Sequence, residues 1–154
     1  MSHPNGPRTG RPSTRAPRGV VSTPHYLASG AGLNMLQRGG SAVDAAIAAN
    51  AVLCVAYPHM AGLGGDGFWL IAEPGTGRVH GLNASGPAAR AATLDYYRPH
   101  SENNEIPSRG PLSILTVPGA IDGWRAAHER FGRLAWKELF DDAIAYARDG
   151  IAVS

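Results

Sequence analysis

The chain has a single cysteine, Cys54, in 154 residues, so no internal disulfide can form. It lies in an apolar run, where a free thiol behaves as a small hydrophobe and not as a reactive group. The histidines His3, His25, His59, His80, His100 and His128 stand apart from one another along the chain. There is no H-E-x-x-H, no cysteine pair and no dense carboxylate group, so the sequence offers neither a metal motif nor a cofactor motif. Lys137 is the only lysine, and arginine carries almost all the positive charge. Acidic residues are missing from the first eighteen positions, which hold Arg8, Arg11, Arg15 and Arg18. The formal charge of +2 therefore comes from the tail: without those four arginines, ten basic residues face twelve acidic ones. A slightly acidic body argues against a nucleic-acid surface.

Long hydrophobic runs are also missing. The apolar stretch Ala45–Tyr57 is too short to span a bilayer and fits a buried helix. Residues 1–18 contain no apolar stretch of the kind a secretory signal needs. They are rich in Pro, Gly, Ser, Thr and Arg and are expected to form a disordered basic tail ahead of one segment, 19–154. No membrane partner is expected, and the expected location is the cytoplasm.

Glycine and proline, by contrast, are abundant, at 20 and 12 residues. They punctuate a readable series of elements. Gly19–Thr23 is a β-branched run that predicts a strand. Thr23 and Pro24 predict a helix start, ended by Gly39 and Gly40. The interior glycines Gly30 and Gly32 suggest close approach of another backbone. Ser41 with Asp44 resembles a capping box opening a second helix, apolar nearly all round and stopped by Pro58. Phe68–Glu73 and Arg78–Leu82 predict a hairpin around Pro74-Gly75-Thr76-Gly77. Residues 99–111 predict a surface loop, Leu112–Val117 a strand, Ile121–Phe131 a helix and Ala135–Arg148 a last helix capped by Gly150. The adjacent Asp141 and Asp142 predict a solvated face. This order implies an α/β or α+β fold with helices on a mostly antiparallel sheet. The apolar end GIAVS leads to the expectation of a truncated chain.

Two segments are candidate sites. The glycine loop Gly62, Gly64, Gly65, Asp66 and Gly67 could cradle a phosphate through backbone N–H groups. However, a helix precedes it and a strand follows, the reverse of the dinucleotide fingerprint, and there is no Walker lysine. A tight turn beside another backbone is the better reading. Asp66 could cap that turn or line a pocket. Asn83 and Ser85, at a strand end before Gly86 and Pro87, are either binding groups or members of an Asx-type turn.

The blocks GGSAVDAA at Gly39–Ala46, GLGGDGF at Gly62–Phe68 and VPG at Val117–Gly119 resemble the γ-glutamyltransferase family. They occur in family order, within a resemblance running from about Gly19 onward. The resemblance implies an N-terminal-nucleophile hydrolase, an αββα sandwich made as a precursor that cuts itself into large and small subunits. It also implies a catalytic threonine at the new N-terminus of the small subunit. This chain resembles the first part of the large subunit and has no matching threonine motif. On its own it is therefore expected to be inactive, with no catalytic residue, and to need the small subunit as partner. Aligned on Pro87, Asn83 stands where γ-glutamyltransferases proper carry a carboxylate-binding arginine. The LNASG form and Asp66 resemble the amidohydrolase or acylase branch. The implied substrates are γ-glutamyl compounds such as glutathione or, alternatively, another small amide. A phosphate-binding module remains the reading from a different class.

Overall fold

The computed structural model describes residues 14–101, 105–113 and 116–152. The expected tail falls mostly on residues 1–13, outside this range; residues 14–18 are exposed and irregular.

Helices α1 (Tyr26–Gln37) and α2 (Ala42–Ala56) pack against each other, and α2 is the element on which the later helices also pack. Ser41 caps α2: its hydroxyl accepts from the Asp44 amide at 3.1 Å, and the Asp44 carboxylate accepts from the Ser41 amide at 2.7 Å. This is the capping box expected from the sequence. The alanines of α2 let its neighbours come close. A Cβ on Gly32 would sit 3.0 Å from the Ala45 carbonyl and 2.8 Å from Val21, so Gly32 marks the predicted close approach. Gly30 does not, because nothing lies near it.

Strands β1 (Gly67–Ala72) and β2 (Val79–Ala84) pair antiparallel, with Phe68 opposite Asn83 and Trp69 opposite Leu82. Trp69, Ile71 and Leu82 turn inward onto the core. Phe68, Leu70 and Val79 turn outward and are 73%, 84% and 64% exposed. A short helix, α3 (Leu94–Tyr97), starts at Thr93, whose hydroxyl accepts from the Tyr96 amide. Helix α4 (Ala120–Phe131) packs on the hairpin and on α2 and buries Trp124. Helix α5 (Asp141–Asp149) packs on α2 and ends at Gly150, whose φ is +82°.

Asp44 is completely buried. Besides the capping box, its Oδ2 accepts from the amides of Arg133 at 2.9 Å and Leu134 at 3.3 Å. The turn after α4 is thereby fastened to the start of α2. His128 supports the same turn, its Nε2–H donating to the Leu134 carbonyl at 2.9 Å.

Several expectations are corrected. Residues 19–23 form no strand, because they find no partner among the described residues. Helix α1 is capped by His25, whose Nδ1 accepts from the Leu27 amide, and not by Thr23. The Thr23 hydroxyl donates to the His25 carbonyl instead. The predicted strand Leu112–Val117 begins as a 3₁₀ turn, Pro111–Ser113, and Thr116 makes one isolated bridge with Ala88. Residues 114–115 lie outside the described range, as do 102–104 of the predicted loop. The single helix expected over Ala135–Arg148 is a 3₁₀ turn, Trp136–Phe140, followed by α5. Phe140, at φ −106° and ψ −3°, interrupts the α geometry, and Asp141 and Asp142 then open a new first turn where acids suit the helix dipole.

Cys54 is half-buried, not fully buried, at the rim of an apolar groove of about 430 Å³ lined also by Val55, Trp124 and Ile144. Burial raises its thiol pKa. Less thiolate is then present at pH 8 than for a free cysteine, so alkylation by iodoacetamide should be slower in the folded protein and should recover in guanidinium. A folded-state rate equal to that of free cysteine would contradict this.

Candidate functional site

Three segments meet at the end of the hairpin that carries Asn83: the glycine loop, residues 83–87 and residues 116–120. The glycine loop is irregular and exposed. The Gly65 carbonyl accepts from the amides of Gly119 at 3.1 Å and Ala120 at 3.0 Å, which are the first donors of α4. The loop thus supplies an acceptor to a helix N-terminus.

Asp66 links the other two segments. Its Oδ2 accepts from the Ser85 hydroxyl at 3.2 Å, and its Oδ1 accepts from the Gly86 amide at 3.4 Å. The Thr116 hydroxyl donates toward both carboxylate oxygens, at 3.2 and 3.3 Å. Asn83 is exposed, and its Oδ1 accepts from the Ser85 amide at 2.9 Å. This is the Asx-type turn, one of the two readings left open by the sequence. Asn83, Ser85, Asp66 and Thr116 form one chain of hydrogen bonds, and none of the ion pairs among the described residues reaches it.

The structure therefore brings Asn83 and Ser85 together with Asp66. Gly62 and Gly64 stay apart, with no atom within 4 Å of a Cβ placed on either. Gly67 makes only ordinary contacts, 3.8 Å from the Ala120 Cα. The glycine loop does lie beside another backbone, through the Gly65 carbonyl, but the glycines that an added side chain would force apart are Gly86, Gly119 and Gly123. A Cβ on Gly86 would fall 1.7 Å from the Val117 carbonyl oxygen, and one on Gly119 would fall 2.3 Å from that of Ala84. Sequence reasoning missed Thr116 as well. The available signals were the one hydroxyl in ILTVPG and a glycine inside the helix AIDGW.

The geometry disfavours phosphate. The nearby helix N-terminus already holds a carbonyl, and the cluster's one charge is a carboxylate, which would repel an anion. Among the described residues, no three His, Cys, Asp or Glu side chains gather as a metal set. No described helix is long and apolar enough to cross a membrane.

The model of the gamma-glutamyltranspeptidase family matches residues 28–154. A glutathione hydrolase-like proenzyme of Bacillus subtilis, YwrD, is 46% identical over 135 residues, which covers 88% of this chain and 25% of that protein. The oxamate amidohydrolase proenzyme of Klebsiella pneumoniae is 47% identical over 141 residues, covering 88% of this chain and 26% of that one. The crystal structure of Helicobacter pylori gamma-glutamyltranspeptidase superposes with a TM-score of 0.83 at 30% identity, covering 93% of this chain and 41% of that one. The chain spans about a quarter of the length of the curated relatives it matches. The family match takes in all but the first two residues of α1, then α2 through α5, the glycine loop and the Asp66 cluster, so the chain belongs to the gamma-glutamyltranspeptidase family.

Proposed function

We propose that this chain is the N-terminal part of the large subunit of a self-processing amide hydrolase, completed by a small subunit that brings the nucleophilic threonine. In this reading Asn83 and Ser85 line the acyl-donor side of the substrate pocket. The favoured substrate is a small amide that needs no salt bridge to an α-carboxylate at Asn83. The carrying observation is the Asn83–Ser85–Asp66 chain at the hairpin end, which offers amide and hydroxyl groups but no cation. The similarity to an oxamate amidohydrolase, beside the glutathione hydrolases, supports placing hydrolysis of a non-glutamyl amide, the alternative reading of the sequence, ahead of γ-glutamyl transfer. Glutathione-type γ-glutamyl transfer is the second reading, favoured by the H. pylori likeness.

The outward face of the hairpin, with Phe68, Leu70 and Val79 open, supports a larger sheet and second layer, as an αββα sandwich requires. An isolated two-stranded hairpin is marginal without such cover.

Asn83→Arg in the full-length protein tests the pocket assignment. A neutral hydrogen bond contributes about 1 kcal/mol and one to a charged group about 1.5–3 kcal/mol. The arginine should raise kcat/KM for a γ-glutamyl anilide by about tenfold for each ~1.4 kcal/mol gained, and should lower turnover of oxamate-like amides. An unchanged ratio between the two substrates, in a correctly processed variant, would remove Asn83 from the pocket.

A further inference from the structure

We infer that Asp66 is a positioning residue for the acyl-donor pocket, setting the orientation of Asn83 and Ser85 without itself touching substrate. The inference rests on the proposed pocket and assigns the group that shapes it. A solvent-exposed carboxylate gains little from any single partner, since water competes for each one. Asp66 nevertheless takes donors from two other segments at once: the Ser85 hydroxyl and Gly86 amide, 19 and 20 residues away, and the Thr116 hydroxyl, 50 residues away.

The geometry gives this convergence a consequence. Ser85 is held twice, through its amide on Asn83 at 2.9 Å and through its hydroxyl on Asp66 at 3.2 Å. Rotation of the Asn83 turn must therefore break the Asp66 contact. Thr116 adds a donor from a third segment, at 3.2 and 3.3 Å from the two carboxylate oxygens, and the backbone next to it is tied to the same turn, the Val117 amide donating to the Pro87 carbonyl at 2.9 Å. The carboxylate cannot shift toward solvent without leaving Thr116, nor can the turn shift without leaving the carboxylate. A carboxylate suits this place because its two oxygens accept from three donors at once. A serine, an alanine or a glycine there could not accept from all of them.

The test uses the full-length, self-processed protein with oxamate and a γ-glutamyl anilide as probes, KM and kcat being read on whichever is turned over, comparing Asp66→Ala with Asp66→Asn. The alanine variant should raise KM by about tenfold, with kcat changed much less, because the loss falls on substrate placement. Asparagine retains one acceptor oxygen and an amide that can meet a hydroxyl, so it should recover a large part of the loss. Equal losses in both variants, carried by kcat with KM unchanged, would overturn the inference.

Amide hydrogen exchange supplies a readout independent of turnover. Asp66→Ala should speed exchange at Ser85 and Gly86 and leave the α2 amides unchanged, and unaltered exchange at Ser85 and Gly86 would equally overturn it. If the wild-type protein turns over no small amide, the proposed function falls, while exchange still decides whether Asp66 holds the turn.

Discussion

Asp44→Ala is expected to lower stability by about 3 kcal/mol, a large share of what a domain of this size has to lose. The change strips the acceptor from three amides, those of Ser41, Arg133 and Leu134. Each buried donor left without a partner costs about 1–3 kcal/mol. The sum is reduced by removing a buried charge, whose Oδ1 has no hydrogen-bond partner and only the His128 Nε2 at 3.6 Å. It is reduced further because water reaches the freed turn. Asp44→Asn keeps one acceptor oxygen and should fall between the two. The loss should appear as a shift of the urea midpoint with the slope unchanged. An unfolding free energy within about 1 kcal/mol of the parent's would mean that the α2 cap and the turn after α4 stand without this carboxylate.

How much of this was legible depended on distance along the chain. Ser41 and Asp44 lie three residues apart, so their reciprocal bonds could be read directly. The hairpin was equally local: the turn residues at 74–77 fix its register. The second role of Asp44, holding amides 89 and 90 residues away, left no mark in the sequence.

The same limit explains the lost strand. Gly19–Thr23 has the composition of a strand, but a strand exists only where a partner supplies the ladder, and composition names no partner. The last helix failed for a different reason. Trp136, Leu139, Phe140 and Ala143 keep a helical spacing whether the backbone is α or 3₁₀ over the first turn, so periodicity could not separate the two.

At the candidate site, the Asx-type bond of Asn83 was one of two readable options because it spans two residues. The Asp66–Thr116 contact, across 50 residues, was not readable, and it is the contact that turns separate motifs into one cluster. The resemblance gave the order of the motifs; only their folding together gave the hydrogen bonds between them.

Gly86→Ala should be the most disruptive small substitution at this cluster, and Gly64→Ala among the mildest. The glycines look alike in the sequence, but their surroundings are opposite. A methyl on Gly86 would stand 1.7 Å from the Val117 carbonyl oxygen and 2.7 Å from its carbon. Both are backbone atoms, so no rotamer change can relieve the clash, and the two segments must part. Parting them breaks the bond from the Val117 amide to the Pro87 carbonyl and draws Gly86 away from Asp66. Overpacking alone costs about 1–3 kcal/mol. With a lost backbone bond added, the total should exceed about 3 kcal/mol. Gly123→Ala should follow the same course, since its methyl would meet the Ala84 Cβ at 2.2 Å. Gly64 is exposed, has nothing within 4 Å and does not require a left-handed backbone, so alanine there should stay within about 0.5 kcal/mol of the parent. Thermal melts of the three variants, expressed side by side, provide the comparison. Equal midpoints for Gly86→Ala and Gly64→Ala would mean that residues 84–87 and 116–123 are not packed backbone to backbone, and the cluster built on that packing would fall with it.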